Sequence, residues 1–196
     1  MTPSVARIIA WHPVLTDHQA FTYAAVSRLS GLPVVVHVAT LEDEVRRAQG
    51  WTDTQVTGIE RRLLPTRRFL RHGLRVLTAE RHQIHLFGSA FASWRMLMLA
   101  ALATRMGIQC YLVSEPYADV PLGYFGDHGT WREHVKLKLR PAAYRLCMRA
   151  LRHRLQGVFT ISRLALRQFA AAEHQRVART AGIGLLELAL HAAQAG

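Results

Sequence analysis

Carboxylates and histidines placed just past apolar runs are the residues of this chain best suited to chemistry. Glu115 is the foremost carboxylate. It follows the apolar run 110–113 and Ser114, sits beside Pro116, and opens a long Gly/Pro/Asp loop that also carries Tyr117, Asp119, Tyr124, Phe125, Asp127 and His128. A carboxylate and a histidine at a crevice can pass protons, and the aromatic residues suit stacking and hydroxyl contacts with a bound acceptor. A loop of this length without secondary structure of its own favours function over filler. His18, next to Gln19, lies at the opening of an expected helix, where an imidazole reaches a ligand phosphate or a sugar hydroxyl. A surface histidine near a helix dipole fits the same place equally well, and Asp17 reads as the N-cap of that helix.

Ser89 and Ser162 stand where further helices are expected to begin. Backbone N–H groups there favour phosphate or carboxylate, although both serines also fit as plain N-caps. His12, Thr40, Gly88, Ser89, Ser114, Glu115 and Ser162 all fall at expected strand ends, so a parallel sheet would set them around one crevice. No metal site is expected. His82 and His85 lie on a strand-like segment and would point to opposite faces, and Cys110 and Cys147 show no zinc spacing. There is no GxSxG, HExxH or P-loop, and the first loop, HPVLTDHQ, lacks the glycines of a dinucleotide fingerprint.

The elements that must position these residues alternate. Expected strands cover 6–11, 33–39, 55–64 (the weakest), 83–87, 109–114 and 157–161. Expected helices cover 17–29, 41–49, 66–79, 90–106, 131–156 (kinked at Pro141) and 162–173. In the first helix Phe21, Ala24, Ala25, Val26 and Leu29 recur at helical spacing, and Gly31 closes it. In the third, Phe69, Leu70, Leu74 and Leu77 are expected to face inward. The stretch PVVVHVA is nearly all apolar and β-branched, as in a central parallel strand covered on both faces. Strand-helix alternation repeated about six times predicts an α/β fold: one Rossmann-like, doubly wound parallel sheet with helices on both faces.

With 196 residues, half of them hydrophobic, the chain can bury a sizeable core. Its formal net charge is +12, from 25 Lys and Arg against 13 Asp and Glu, with arginine far in excess. That balance points to an anionic partner or to the base composition of the gene. Two cysteines in apolar surroundings read as buried free thiols, which fits a reducing cytoplasm. No signal peptide is expected at the N-terminus, and the longest apolar run, 96–103, is too short to span a bilayer.

The segment 131–156 is the most basic. It holds eight Arg and Lys residues against Glu133 alone. Tyr144, Cys147, Met148, Leu151 and Leu155 form an apolar stripe flanked by Arg145, Arg149 and Arg152. A helix of this kind can lie on an anionic membrane surface, or dock on a sheet with a solvated basic face. Nucleic acid is the weaker option, because no interleaved aromatic pattern accompanies the charge.

Taken in order, HPVLTDHQAF, VVVHVAT and EDEVRRAQGW resemble the opening of bacterial retaining glycosyltransferases of the GT-B fold (glycosyltransferase family 4, the group 1 type). In that family a strand-end loop with a His-Gln pair precedes the first helix. IHLFGSAFASWRMLMLAALATRMGIQCYLVSEPY is similar to the family's fourth and fifth strands, with the Ser-Glu-Pro step at 114–116. GVFTISRLALRQFAAAEHQRVARTAGI is similar to the end of its N-terminal half. The resemblance runs from Arg7 to Ile183 and rests on the order of loose motifs. It implies an N-terminal, acceptor-side domain over 1–183, with 184–196 as a helical tail.

The resemblance further implies Glu115 and His18 as the catalytic candidates. His12, Gln19, Ser114, Tyr117 and Asp119 would take the acceptor or sugar, and Ser89 and Ser162 would lie near phosphate. No tightly bound cofactor or metal is implied. The full-length family takes a nucleotide-sugar donor in a C-terminal domain, through a paired-glutamate motif. After 183 that family continues into a second domain, whereas here LLELALHAAQAG follows. The donor half is therefore expected from a separate polypeptide, or the chain is a truncated copy. The expected function is the acceptor-binding half of an enzyme that transfers sugar to a saccharide or lipid-linked acceptor in cell-envelope polysaccharide synthesis. It would be cytoplasmic, peripheral on the inner face of the membrane. The alternative is a non-catalytic basic α/β module for an anionic membrane surface or nucleic acid, and steep salt dependence would mark the latter. A receiver-like domain is disfavoured, since no acidic cluster follows the first strand.

Overall fold

The computed structural model describes residues 5–41, 56–90, 93–114, 131–151, 155–160, 165, 167 and 178–180. Along the chain these form β1 (Ile8–His12), α1 (Asp17–Ser30), β2 (Val34–Val38), β3 (Ile59–Leu63), a 3-10 turn (Thr66–Arg68) leading into α2 (Phe69–Ala79), β4 (Ile84–Gly88), α3 (Trp94–Arg105), β5 (Cys110–Ser114), α4 (Trp131–Leu151), β6 (Gly157–Thr160) and β7 (Ala178–Thr180). Of the expected helices at 41–49 and 162–173, only residue 41 and the helical residues 165 and 167 are described.

All seven strands pair in parallel, in the order β3-β2-β1-β4-β5-β6-β7. This is the expected Rossmann-like, doubly wound α/β sheet. β1, β2 and β4 are buried along their whole lengths, as strands covered on both faces must be. β3 is the edge. Its Arg61, Arg62 and Glu60 are charges of the kind that discourage strand-to-strand association, and its exposed Arg62–Glu60 pair at 2.7 Å contributes little to stability.

Alternate residues along each strand feed two cores. Ile9, Trp11, Val35, Phe87, Cys110, Leu112 and Val158 face the layer made by α2, α3 and the C-terminal part of α4, where Phe69, Leu77, Met96, Leu99, Met148 and Leu151 are buried. Ile8, Ala10, Val34, Val36, Ile84, Leu86, Val113 and Phe159 face the opposite side, covered by Tyr23 and Val26 of α1.

Several expectations shift by a register or a few residues. α1 begins at Asp17, as expected, but its cap lies one residue earlier: Thr16 is the N-cap, and its backbone N–H donates to Gln19 Oε1 at 3.1 Å. Asp17 is the first helical residue instead, where its charge suits the helix dipole. The face of α1 that is buried is Gln19, Ala20, Tyr23, Val26 and Ser30, while Phe21 and Leu29 are exposed. Gly31 takes a left-handed φ of 70° and its N–H closes the helix on the Ser27 carbonyl. In α2 Leu74 points outward, and Gly73 occupies the inward position because Leu99 of α3 lies against it; a Cβ there would stand 2.6 Å from Leu99 Cδ2.

α3 starts at Trp94 rather than at residue 90. Ser89 takes a positive φ of 48° and gives its N–H to the Val113 carbonyl at 3.1 Å, so the chain crosses toward β5 before the helix can begin. α4 is a single helix of 21 residues that includes Pro141 and ends at Leu151, short of residue 156. β7 was not expected at all. No helix among the described residues is long and apolar enough to cross a membrane.

Candidate functional site

Parallel pairing brings the carboxyl ends of all the strands to one edge of the sheet. The chain connections reverse between β1 and β4, the position at which open α/β sheets form their ligand crevice. His12, Gly88 and Ser114 are the last residues of β1, β4 and β5, three neighbouring strands. The loop 13–16 and the start of α1 follow directly from His12. Glu115, Tyr117 and Asp119 follow β5 in the sequence and Ser162 follows β6; all four lie outside the described residues, as does Arg152.

Each described candidate has a definite place. The His12 ring does not rim the crevice; it is fully buried beneath α1, where Nε2 shares a 2.6 Å hydrogen bond with the Tyr23 hydroxyl. Gly88 makes room for it, since a Cβ at that position would run into the imidazole. Burial pushes the His12 pKa down to about 3, with a smaller push from the charge of His18, and raises that of Tyr23. Both groups are therefore neutral at physiological pH. Among the described residues Nδ1 of His12 has no hydrogen-bond partner, and this buried atom stands at the switch point itself.

His18 is exposed in the first turn of α1, with the Thr16 hydroxyl 3.2 Å from its ring. Gln19 is largely buried and its Oε1 is engaged by the Thr16 N–H, which commits that oxygen to capping. Ser89 is half-buried, and its N–H is engaged with β5 rather than with a helix start. Ser114 is buried at the end of β5, in register with Thr160 of β6. Arg145 and Arg149 are exposed on α4. Among the described residues the exposed His18 and the half-buried Ser89 are thus accessible polar groups at this edge, with Thr16, His12, Gly88 and Ser114 buried beneath. The exposed His18 ring and the Ser89 hydroxyl are hydrogen-bonding groups of the kind that hold hydroxyls and phosphate oxygens. Among the described residues no cluster of His, Cys, Asp or Glu could hold a metal ion.

One feature of the interior was not anticipated. Trp11 lies in a row of rings: it stacks on His37 at 4.7 Å between centroids and on Phe87 at 5.7 Å. Its indole N–H donates to His85 Nδ1 at 3.1 Å, and His85 Nε2 donates to the Glu80 carbonyl at 2.9 Å. His85 is thereby held neutral, with its proton on Nε2. Neither ring nitrogen of buried His37 has a hydrogen-bond partner. Burial lowers the pKa of His37 and of His85 to about 4, and the neighbouring Arg62, His72 and His85 add to the effect at His37. The available signal is the nearly continuous apolar character of PVVVHVA and QIHLF, which sets both histidines inside a buried strand. Both cysteines are free; Cys110 is buried, with its pKa pushed up to about 12, and is a packing residue rather than a nucleophile.

The geometry defines the class of fold: a Rossmann-like α/β domain with its crevice between β1 and β4. The chain has no significant match to any family model, curated protein or solved structure.

Proposed function

We propose that the chain is the acceptor-binding half of a glycosyltransferase of the GT-B type. It would take a saccharide or lipid-linked acceptor at the β1/β4 crevice while a nucleotide-sugar is supplied by a donor-binding half. In this reading the protein works in the cytoplasm, on the inner face of the membrane. The observation that carries the reading is the convergence of the β1–α1 loop (His12 to Gln19), the β4 end (Gly88-Ser89) and the β5 end (Ser114, leading into Glu115) at the switch point of a sheet ordered β3-β2-β1-β4-β5-β6-β7. His18 is the residue whose imidazole is exposed there, and it would hydrogen-bond an acceptor hydroxyl. Glu115, next along from Ser114, would supply the carboxylate.

The test is direct binding. Neutral oligosaccharides and polyprenyl-phosphate-linked saccharides are titrated against the chain by saturation-transfer NMR, with His18→Ala as the comparison. Loss of one hydrogen bond worth about 1 kcal/mol weakens binding about fivefold. Affinity for a neutral saccharide should barely change with salt, because no ion pairs form on binding. If no saccharide binds, or only polyanions bind with a steep salt slope, the reading is wrong and a non-catalytic basic module replaces it.

A further inference from the structure

Among the described side chains α4 carries two apolar strips, one buried and one exposed. Met148 and Leu151 are buried in the core beneath the sheet. On the far side of the helix Trp131, Val135, Leu139 and Leu146 are exposed by 72%, 42%, 61% and 70%. Their spacings of four, four and seven residues each return to nearly the same side of a helix with 3.6 residues per turn. Exposed Ala142 continues that ridge between Leu139 and Leu146.

A row of cations runs alongside. Lys138, Arg145 and Arg149, spaced seven and four residues apart, are all exposed. The apolar stripe identified at 144–155 is not this surface, since it includes the docked residues Met148 and Leu151. The outward strip is a second one, formed by other side chains.

A row of large apolar residues beside a row of cations, on a helix anchored from behind, is unfavourable in water. It matches the boundary of a bilayer, where acyl chains meet headgroup phosphates. Tryptophan in particular suits that depth. Charge selects the kind of bilayer: 131–156 bears eight cationic residues against Glu133, and the whole chain carries +12. Each Lys or Arg near an anionic leaflet contributes roughly 1 kcal/mol.

We propose that the outward face of α4 docks on an anionic lipid bilayer, lying in the interface with Trp131, Val135, Leu139 and Leu146 among the acyl ends and with Lys138, Arg145 and Arg149 on headgroup phosphates. The docking surface stands independently of sugar transfer. Saccharide binding through His18 can fail while bilayer binding holds, and the reverse.

The test uses the intact chain with vesicles of phosphatidylcholine alone and of phosphatidylcholine mixed with phosphatidylglycerol. Co-sedimentation should occur with the mixed vesicles and weaken at high salt. Tryptophan emission should shift to the blue and be quenched by brominated acyl chains, and Trp131→Phe should remove most of that quenching. Arg145→Glu with Arg149→Glu should lower partitioning by about tenfold or more, given roughly 1 kcal/mol per charge. Leu139→Asp with Leu146→Asp should abolish it, while both variants keep the wild-type melting temperature because the changed side chains are exposed. Equal binding to the neutral vesicles, or quenching that survives in Trp131→Phe, would overturn the proposal. So would an absence of vesicle binding together with a concentration-dependent dimer that the Leu139/Leu146 variant loses, which would make the strip a self-association surface.

Discussion

His12 and Tyr23 show how a single contact decides what a residue can do. A histidine at the end of a strand reads from the sequence as a crevice group, but its ring is turned under α1 and tied to the Tyr23 hydroxyl. Tyr23→Phe removes that partner and leaves both ring nitrogens of His12 unmet in the interior. The expected loss is about 1–3 kcal/mol, read by urea denaturation as a lower midpoint with an unchanged slope. His37 makes the complementary case. Neither of its nitrogens is hydrogen-bonded, so replacing it with an apolar residue of similar size removes a desolvation cost without breaking a bond. His37→Leu should leave stability at neutral pH equal or higher in the same experiment; a large loss would mean that stacking on Trp11 outweighs that cost.

At the scale of elements, α2 and α3 are held close by the missing side chain of Gly73. Alanine there gains about 1 kcal/mol of helix propensity. It must also displace Leu99, which is fully buried and has little room to rotate. Overpacking of this kind costs about 1–3 kcal/mol, so Gly73→Ala should be destabilising on balance. The cause can be isolated with a double-mutant cycle: combined with Leu99→Ala, the Gly73→Ala change should become neutral or favourable, giving a coupling of about 1 kcal/mol or more. Additive effects would show that the two helices do not meet through this pair. Element types were readable from the chain because β-branched runs and glycine stops are local signals. Which face of α1 turns inward was not. Phe21 and Leu29 are the more hydrophobic residues, but the sheet accepts the face of Tyr23 and Val26, where the Tyr23 hydroxyl also meets His12.

For the molecule as a whole, three buried neutral histidines make the fold sensitive to acid. The pKa of His12 is about 3 in the folded state, and those of His37 and His85 are about 4, against an ordinary value of 6.5. Below pH 6.5 the unfolded chain therefore binds protons that the folded chain refuses, and stability falls as pH falls. It is fully present above about pH 6.5 and is lost progressively toward pH 4. Each group contributes up to about 1.4 kcal/mol per pH unit across that window. Domains are stable by only about 5–15 kcal/mol, so losses of this size should lower the melting temperature steeply between pH 6.5 and pH 4, as followed by circular dichroism. His37→Leu should make the decline shallower. A melting temperature that does not change between pH 6.5 and pH 4 would contradict the burial of these rings.

What the sequence determined alone was the alternation of strands and helices, the parallel sheet that alternation requires, and the presence of a basic helix. These follow from side-chain period and turn chemistry, which act over a few residues. It also placed Ser114 and Gly88 at strand ends, because apolar runs stop there. It did not reveal β7, whose three residues carry no apolar run and gain strand structure from pairing with β6. Tertiary structure alone decided that His12 packs over Gly88 beneath α1, that Gln19 caps instead of facing outward, and that Ser89 turns to β5 before α3 begins. It also decided which apolar strip of α4 is docked and which is left exposed. These outcomes depend on what lies across the sheet from each residue, and contacts between distant parts of a chain leave no period in the sequence.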